Sequence, residues 1–393
     1  MRVLFLMLDM PTDLNSSNLY LDLALEFKDY QHEVYVIAPA GVNQKTGLYN
    51  ERGLNVLRVA TFKQKGVRSV FKKGFAQLLL PYQYRTAYSK FLKNQLFDLI
   101  LMPTPPITLT KLVLHIKKNT NALFYLILRD IYPQGAADIG LVRFRFIYHY
   151  LRKLEILTYK TADIIGCMSL GNIEYIKTHN PYLDSKKLTL LPNWQKTSNL
   201  EELTVDVRKL EDKYIVLFGG TIGYAQKVDN IVILAEHYQN DVNIVFLVIG
   251  NGVMKQYLMD KVAQKQLNNV IFLDSLPRDE YMNFVKSADI GLITIDERFT
   301  VPTIPSKTTS YFSLKLPVLA IIDQHTDYGK IIDEAKAGLW SVGGDNDKLF
   351  ENFDKLYKYN NRRIASGENG YKYFLENLTS KHAYNTIIKD IHG

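Results

Sequence analysis

The sequence predicts an α/β fold made of two Rossmann-like domains, each built on a parallel sheet. Apolar segments of strand length alternate with helical stretches, the pattern of parallel strands joined by helices. The 393 residues exceed what one ordinary hydrophobic core holds, so two domains are expected. A polar, charge-rich stretch at 195–213 interrupts the alternation and predicts a linker between a domain at 1–194 and one at 214–375.

In the first half, strands and helices follow one another as in a sheet covered by helices on both faces. The strands are expected at 2–8, 33–38, 55–59, 98–102, 123–128 and 163–168. The clearest helices lie at 16–29 and at 143–161. The motif LPNW at 191–194 ends the alternation and marks the end of the first domain.

The second half repeats the pattern. Its strands are expected at 214–218, 243–249, 270–273, 289–295, 317–322 and 338–342. Its helices are expected at 227–238, 253–266, 278–287, 306–314, 326–336 and 345–358. Residues 376–393 predict a last helix, for which packing back on the first domain is one option. A reversal of strand order in each sheet would form two crevices, and facing crevices would make one interdomain cleft.

Composition indicates a soluble globular protein, with 47% apolar and 22% charged residues. The single cysteine, Cys167, excludes an intramolecular disulfide and fits a reducing cytoplasm. The N-terminus begins with an apolar strand and lacks the features of a signal peptide. No apolar run approaches the roughly 18 residues that a membrane span needs. We therefore expect a cytoplasmic protein.

The net charge of +8 comes from one segment. Residues 52–97 hold ten Lys or Arg and no Asp or Glu, which leaves 38 basic and 40 acidic residues elsewhere. Helical spacing of apolar residues within 62–97 predicts a basic amphipathic helix that binds an anionic membrane surface. The residues expected to touch lipid are Lys65, Arg68, Phe71, Lys72, Lys73 and Phe75. A core-facing stripe with a solvated flank is the alternative, and nucleic acid is disfavoured because no recognised binding motif is present.

Two loops in the second half predict a site for a diphosphate. Residues 218–226 (FGGTIGYAQ) and 304–311 (IPSKTTSY) each join an apolar strand to a helix. Glycines let a backbone approach a ligand, and a helix N-terminus offers free N–H groups. The residues expected to bind the ligand are Gly219, Gly220, Thr221, Gly223, Lys227, Gly250, Pro305, Ser306, Lys307 and Ser310.

Several motifs, in order and spacing, resemble those of family 4 glycosyltransferases. In the second half these are 219–226, IGNG at 249–252, SAD at 287–289, PSKT at 305–308 and the stretch from Tyr311 to Val318. The first half adds HEV at 32–34, RDIYP at 129–133 and LPNW at 191–194. The likeness is to the bacterial subgroup that builds O-antigen, capsule and colanic-acid repeat units.

The resemblance implies a GT-B fold, with the acceptor bound mainly by the first domain and the nucleotide sugar by the second. It implies transfer of a sugar from a UDP- or GDP-linked donor, with retention of configuration and without a metal or other cofactor. The implied acceptor is a lipid-linked glycan on the inner face of the cytoplasmic membrane. The sequence itself carries no convincing DxD motif and no His/Cys cluster with metal-ligand spacing.

The implied catalytic residues are Asp130 and Arg129, and the implied acceptor loop contains Asn15, Ser16 and Ser17. Three positions depart from the pattern of many relatives. Ser310 stands where they have a ribose-binding glutamate, and Arg129 stands where some have a histidine. Residues 13–17 (DLNSS) replace a glycine pair after the first strand.

Three other functions are alternatives for a chain of this architecture. A sugar-nucleotide epimerase of the same architecture would need carboxylates and a histidine that the second-half loops lack. A non-catalytic, membrane-associated scaffold is suggested by Ser310 and Arg129, and it would not release nucleotide diphosphate. A dinucleotide oxidoreductase is disfavoured because residues 9–11 (DMP) stand where G-x-G-x-x-G would be needed.

Overall fold

The computed structural model describes residues 1–13, 16–62, 70–197 and 212–393, and over 70–78 it describes the backbone alone. The chain forms two compact units. Unit 1 contains residues 1–192 together with 380–393, and unit 2 contains residues 193–379. Each unit has its own largely parallel sheet, which confirms the predicted α/β class with two parallel-sheet domains.

The sheet of unit 1 has eight described strands in the order β3-β4-β2-β1-β5-β6-β7-β8. Their bounds are β1 (Arg2–Leu6), β2 (Glu33–Pro39), β3 (Gly47–Glu51), β4 (Leu54–Val59), β5 (Leu99–Pro103), β6 (Leu123–Leu128), β7 (Ile164–Cys167) and β8 (Leu188–Leu190). Neighbours pair in parallel except β3 and β4, which form an antiparallel hairpin. The strand order reverses between β1 and β5.

The described helices of unit 1 are α1 (Leu19–Asp29), α2 (Val70–Phe91), α3 (Thr110–Lys117), α4 (Gln134–Asp138), α5 (Arg145–Thr161), α6 (Leu170–His179) and α14 (Ser380–His392). α1 begins after Asn18, whose Oδ1 accepts a hydrogen bond from the Leu21 N–H at 2.9 Å. α14 packs against α1: the Tyr384 ring stacks on Tyr30 at 4.2 Å, and its hydroxyl is 2.9 Å from His32 Nε2.

The central strands are buried because they consist of continuous apolar residues. All five residues of β5 (LILMP) are buried, which is typical of a parallel strand covered on both faces. The strands that the sequence did not predict, β3 and β8, are short and largely solvent-exposed. The β3–β4 hairpin turns at Arg52 and Gly53, both with positive φ.

The sheet of unit 2 has six described strands, all parallel, in the order β11-β10-β9-β12-β13-β14. Their bounds are β9 (Tyr214–Gly219), β10 (Ile244–Ile249), β11 (Val270–Leu273), β12 (Ile290–Thr294), β13 (Val318–Ile322) and β14 (Gly338–Val342). The strand order reverses between β9 and β12. A reversal of this kind positions the ligand crevice in open α/β sheets.

The described helices of unit 2 are α7 (Asp229–His237), α8 (Lys255–Gln264), α9 (Arg278–Ser287), α10 (Lys307–Ser313), α11 (Tyr328–Ala335), α12 (Asn346–Lys358) and α13 (Asn360–Asn377). α12 shows how these helices pack against the core of unit 2. Leu349, Phe353 and Leu356 recur at helical spacing and are all buried in the main core of the unit. The loops beside β9 and β12 are therefore mounted on a rigid scaffold.

The basic segment predicted at 62–97 contains α2, which begins at Val70. Lys65 and Arg68 lie outside the described residues, and the side chains of Phe71, Lys72, Lys73 and Phe75 are not among those described. Later in α2, Leu80, Tyr84 and Tyr88 are buried in unit 1, so this half of the helix is part of the core. None of the described helices is both long enough and apolar enough to cross a bilayer.

Candidate functional site

Both motif loops of unit 2 lie at one edge of one sheet. β9 ends at Gly219 and β12 ends at Thr294, and these neighbouring strands flank the reversal of strand order. The first loop follows β9 directly, and the second leads from β12 to Lys307 at the start of α10. The carboxyl edge of this sheet is therefore the candidate site of unit 2.

Two glycines at the end of β9 are needed for different reasons. A Cβ at Gly219 would lie 2.2 Å from the hydroxyl of Tyr281, so close packing excludes a side chain there. Gly220 has φ +110, a conformation that favours glycine, and a Cβ there would meet nothing within 4 Å. The space beside Gly220 is therefore open to a ligand.

The structure changes the expected role of the backbone N–H groups in this loop. Gly219 donates to the Tyr311 hydroxyl at 3.2 Å, and Gly220 donates to the Ile249 carbonyl at 2.9 Å. The N–H groups of residues 222 and 223 are also used, at 3.0 and 3.1 Å, by the Asn251 carbonyl and by Gln226 Oε1. Within 219–223, Thr221 alone keeps an N–H without an acceptor among the described residues. The loop is held by its own N–H groups, which leaves few of them for a phosphate.

Gly250 supports this loop from the next strand. Its φ is +152, and a Cβ there would lie 1.9 Å from the Gly220 carbonyl oxygen. Gly252 makes the same kind of contact, because a Cβ there would lie 2.0 Å from the Ile222 carbonyl oxygen. Both glycines therefore fix the position of the loop after β9, and Gly250 acts on the site through that loop.

Lys307 is an unusual residue of this edge. Its ammonium nitrogen is buried and has no hydrogen-bond partner among the described residues. It lies 3.7 Å from the centre of the Phe218 ring, at cation–π distance. Burial lowers the pKa of Lys307 to about 7. Because a buried ammonium without a counter-ion is costly, this position suits an anion beside the end of β9.

The residues around Lys307 form the first turn of α10. The carbonyls of Pro305 and Ser306 accept from the N–H groups of residues 308 and 309, both at 3.3 Å. Ser306 is exposed at the helix start. Ser310 donates its hydroxyl to Gln195 Oε1 at 2.8 Å, so this hydroxyl is used inside unit 2.

Gln195 was assigned from the sequence to the linker, but its side chain is buried in unit 2. Its backbone N–H donates to the Leu378 carbonyl at 2.9 Å, and its Nε2 donates to Ser313 Oγ at 3.2 Å. It thus ties α10 to the end of α13. Only the three-dimensional structure brings residues 195 and 310 together.

Lys227, also expected to bind the ligand, is paired within the protein. It has φ +35 and forms an ion pair with Glu297 at 2.6 Å. The hydrogen bond from Lys227 to Glu297 raises the pKa of the lysine. With this partner, Lys227 braces the loop after β9 against the loop after β12.

Tyr311 connects α10 to the end of β9. Its buried hydroxyl donates to the Leu217 carbonyl and accepts from Gly219 N–H, both at 3.2 Å. A Cβ at Gly291 would lie 2.4 Å from the Tyr311 ring, so that glycine makes room for it. The sequence included Tyr311 only as part of a motif and gave it no role.

In unit 1, Asp130 and Arg129 follow the end of β6. Arg129 is buried and hydrogen-bonds with the hydroxyl of Tyr20, and burial lowers its pKa. Desolvation by surrounding protein atoms raises the pKa of Asp130, and the nearby Arg129 opposes this, although water still reaches the carboxylate. Thr104 Oγ1 accepts from the Arg129 N–H at 3.0 Å and fixes this turn.

The predicted acceptor loop lies after β1. Asn15 falls outside the described residues. The Ser16 hydroxyl donates to Asp13 at 2.8 Å, and the Ser17 hydroxyl donates to the buried Asp22 of α1. Both serines therefore have structural partners in this loop.

Asp323 is a residue of the unit 2 edge that the sequence did not single out. It follows β13 and is buried, and its Oδ2 has no hydrogen-bond partner among the described residues. Burial raises the pKa of Asp323, against hydrogen bonds from the backbone N–H groups of His325 and Thr326. Its position after an apolar strand was the available signal. Across the described residues, no cluster of His, Cys, Asp and Glu has the arrangement of a metal site.

Comparison with known proteins identifies this unit. Residues 201–373 match the family "Glycosyl transferases group 1". The match covers most of unit 2. The probable glycosyltransferase WbjE of Pseudomonas aeruginosa is 21% identical over 286 residues, which are 70% of each chain. The family and this relative confirm that the protein is a glycosyltransferase.

Two solved structures share the fold over the full length. WaaG, a glycosyltransferase involved in lipopolysaccharide biosynthesis, is 14% identical, with a TM-score of 0.67 over 99% of both chains. HepE of Anabaena in complex with UDP-glucose is 13% identical, with a TM-score of 0.70 over 100% of this chain and 99% of that one. At this identity the likeness concerns the fold, and it confirms the expected GT-B class.

Proposed function

We propose that the protein transfers a sugar from a UDP- or GDP-linked donor to a polyprenyl-diphosphate-linked glycan during assembly of a bacterial surface polysaccharide. The expected products are repeat units of an O-antigen, a capsule or a colanic-acid-like polymer. The transfer is proposed to retain the anomeric configuration and to need no metal. The similarity to WbjE and to WaaG, a glycosyltransferase involved in lipopolysaccharide biosynthesis, supports this class of product.

The buried, unpartnered ammonium of Lys307 is the observation that carries the proposal. It lies at the ligand edge of the group 1 domain, against Phe218 at the end of β9. A donor diphosphate would supply the missing counter-ion. Similarity to HepE, which was solved with UDP-glucose, supports a nucleotide sugar as the bound molecule.

During transfer, negative charge builds up on the departing diphosphate. A preorganised cation in a site that excludes water stabilises that charge more than it stabilises the ground state. Lys307 would supply the cation. The open space beside Gly220 would admit the diphosphate, and Thr221 N–H would donate to it.

On the side of unit 1, the exposed carboxylate of Asp130 would orient a sugar hydroxyl. Arg129 would hold the Asp130 turn through Tyr20 and Thr104. Residues 62–97 would bring the enzyme to the cytoplasmic face of the membrane, where a lipid-linked acceptor lies. Of the ten basic residues at 52–97, Arg58 is buried and pairs with Glu51, and the remaining nine support this location.

A thermal-shift screen of nucleotide diphosphates and their sugars, followed by turnover, tests the proposal. A ligand that binds the native protein raises the melting temperature, so the best ligand should identify its base and sugar. The shift should vanish in Lys307→Met. Release of nucleotide diphosphate in the presence of a lipid-linked acceptor should follow. Binding without release, even with acceptor extracts from polysaccharide-producing bacteria, would favour the scaffold.

A further inference from the structure

A second basic and aromatic surface lies on unit 1, on described side chains of α5, α3 and the later part of α2. Residues 139–154 contain four Arg or Lys and no Asp or Glu. Phe144 is 58% exposed, Phe146 is 73% exposed and Tyr150 is 44% exposed. Large rings rarely gather on a surface in this way unless the surface binds something.

These rings form a continuous stripe on the first turns of α5. Phe146, Tyr150 and Leu154 are spaced by four residues, so they lie on one face of the helix. The Phe144 ring lies 5.7 Å from the Phe146 ring. The stripe runs from exposed aromatic residues to the buried Leu154.

The stripe ends in a recess of about 210 Å³ formed by α2, α3 and α5. Leu112 and Leu154 provide apolar walls, and Arg85 and Lys111 add two cations. Tyr82 of α2 is 72% exposed and also lines this recess. A recess of this size is below the usual volume of a site for a drug-sized ligand, but it can hold a head group.

Arg152 of this region pairs with Glu155 at 2.7 Å, but four other cations form no such ion pair. Arg85, Lys111, Arg145 and Lys153 are exposed, and none forms an ion pair with a described residue. Burial, together with the nearby charges of Arg85 and Lys118, lowers the pKa of His115, which indicates how closely positive charge is grouped here. The surface thus combines uncompensated cations with exposed rings.

We propose that this surface, made of residues 141–153 and the recess around Arg85 and Lys111, docks on an anionic lipid bilayer. Arg85 and Lys111 hold a lipid phosphate in the recess, while Phe144 and Phe146 enter the boundary between head groups and acyl chains. The inference rests on the proposed membrane location and adds to it a second contact region with named side chains.

The charges and the rings together favour a bilayer over other partners. A second copy of the chain docked on the same face would bring like charges together, which opposes association. Exposed phenylalanines beside fixed cations match the layered chemistry of a bilayer, whose phosphates cover an apolar interior. Each Lys or Arg near such a surface contributes about 1 kcal/mol of attraction.

Sedimentation of the full-length protein with vesicles tests the proposal. Vesicles of phosphatidylcholine alone are compared with vesicles in which roughly a third of the lipid is phosphatidylglycerol. The wild type should bind the anionic vesicles, and binding should weaken as salt rises from about 0.05 to 0.5 M. Arg85→Glu with Lys111→Glu, and separately Phe144→Ser with Phe146→Ser, should each lower partitioning at least about tenfold.

Tyr359→Ser with Arg362→Glu is the matched control, because it removes an exposed ring and reverses an exposed charge on unit 2. It should bind vesicles like the wild type, and all variants should keep the wild-type melting temperature because the changed side chains are exposed. Wild-type binding by both unit 1 variants would overturn the proposal. So would equal binding to neutral vesicles, or tight binding of a soluble polyanion without vesicle binding.

Two further measurements separate this docking surface from the proposed enzyme function and from the membrane contact proposed for residues 62–97. Nucleotide-sugar binding measured without lipid should be unchanged in both unit 1 variants. If vesicle binding holds but no nucleotide sugar binds, the proposed enzyme function fails and the docking surface stands. If charge reversal at Lys72 and Lys73 abolishes binding while the Arg85/Lys111 and Phe144/Phe146 variants bind normally, the membrane contact is the part of 62–97 that contains Lys72 and Lys73, and the α5 surface is not.

Discussion

A buried cation lies just beyond the β-strands in each unit, and the two are handled in opposite ways. Arg129 of unit 1 hydrogen-bonds with Tyr20 and lies beside the Asp130 carboxylate. Lys307 of unit 2 contacts the Phe218 ring and has no hydrogen-bond partner among the described residues. Burial lowers the pKa of both. Unit 1 thus supplies its cation with partners from the protein, Tyr20 and Asp130, whereas unit 2 leaves the ammonium of Lys307 to be completed by a ligand.

The largest expected effect comes from removing each cation. Lys307→Met should lower kcat by roughly 10²–10³-fold, because one preorganised electrostatic group is lost. The same change should raise the melting temperature of the ligand-free protein, since it removes an uncompensated buried charge. Arg129→Met should instead lower the melting temperature, because Tyr20 and Asp130 lose their partner. Turnover and thermal unfolding of both variants check this.

If Lys307→Met destabilises the protein as much as Arg129→Met does, the contrast between the units is wrong. Lys307→Arg serves as the control for charge alone. It keeps the cation but changes its shape, so it should retain part of the ligand-induced thermal shift that Lys307→Met loses.

A second prediction uses two glycines of the same loop system. In Gly250→Ala, the Cβ would collide with the Gly220 carbonyl at 1.9 Å, so the loop after β9 must move. We expect a loss of about 2–4 kcal/mol in the free energy of unfolding, together with loss of nucleotide-sugar binding. In Gly220→Ala the added Cβ meets open space. The free energy of unfolding should therefore fall only by the backbone strain at positive φ, about 1–3 kcal/mol. Denaturant unfolding and ligand titration of both variants measure this, and a larger unfolding loss in Gly220→Ala than in Gly250→Ala would contradict the packing.

The third prediction concerns pH. In the ligand-free protein the pKa of Lys307 is about 7. A bound diphosphate should raise this pKa, so binding should take up a proton. Affinity for a nucleotide sugar should fall by up to about tenfold per pH unit above 7, and this slope should be absent in Lys307→Met. Calorimetry in two buffers of different ionisation enthalpy measures the proton uptake. If affinity falls equally with pH in the wild type and in Lys307→Met, Lys307 does not contact the bound diphosphate.

The same residue affects stability with a defined sign. Lysine in the unfolded chain has a pKa near its ordinary 10.5, and in the folded protein about 7. Between these values the unfolded state binds more protons, so this group makes the ligand-free protein more stable as pH rises through that window. Below pH 7 Lys307 is charged in the folded protein, so the full destabilisation from burying its ammonium is present. Comparing Lys307→Met with the wild type across pH isolates this contribution.

The smallest expected effect is at Asp130. Asp130→Asn keeps the shape but removes the charge, and it should lower kcat about fivefold through loss of one charge-assisted hydrogen bond. Because water reaches this carboxylate, the free energy of unfolding should change by less than about 0.5 kcal/mol. Turnover at saturating donor and acceptor is the measurement. Unchanged turnover would assign Asp130 to the turn alone and leave unit 1 without a reacting group here.

Much of the fold could be predicted because the sheets are parallel and buried. Strands such as β5 and β13 are continuous apolar runs, and their predicted bounds differ from the observed ones by only a residue or so. β3 and β8 were missed because they are short and largely exposed. A strand that is not buried needs no apolar residues, so these two carry little apolar pattern. The helix α3 was expected only as one of the helical stretches between strands and was given no bounds, although its buried residues recur at helical spacing.

The site could be predicted less fully, because side-chain partners depend on tertiary contacts. The sequence indicated Lys307 and the glycines of the β9 loop. That Ile249 and Asn251 occupy the N–H groups of that loop depends on the pairing of β9 with β10. Gln195 was assigned to a linker because its neighbours are polar, yet it accepts the Ser310 hydrogen bond. No local pattern reveals a contact across 115 positions.

The placement of α14 has a consequence for how the protein is made. A ribosome completes the sheet of unit 1 early, but the helix that covers α1 is translated only after all of unit 2. Until then Phe27 and Tyr30 lack the Tyr384 ring, and Glu26 lacks the hydroxyl of Ser380. A nascent chain therefore carries an unfinished first unit through the synthesis of the whole second one. A message truncated after codon 379 would yield a complete unit 2 attached to a unit 1 with an uncovered apolar face.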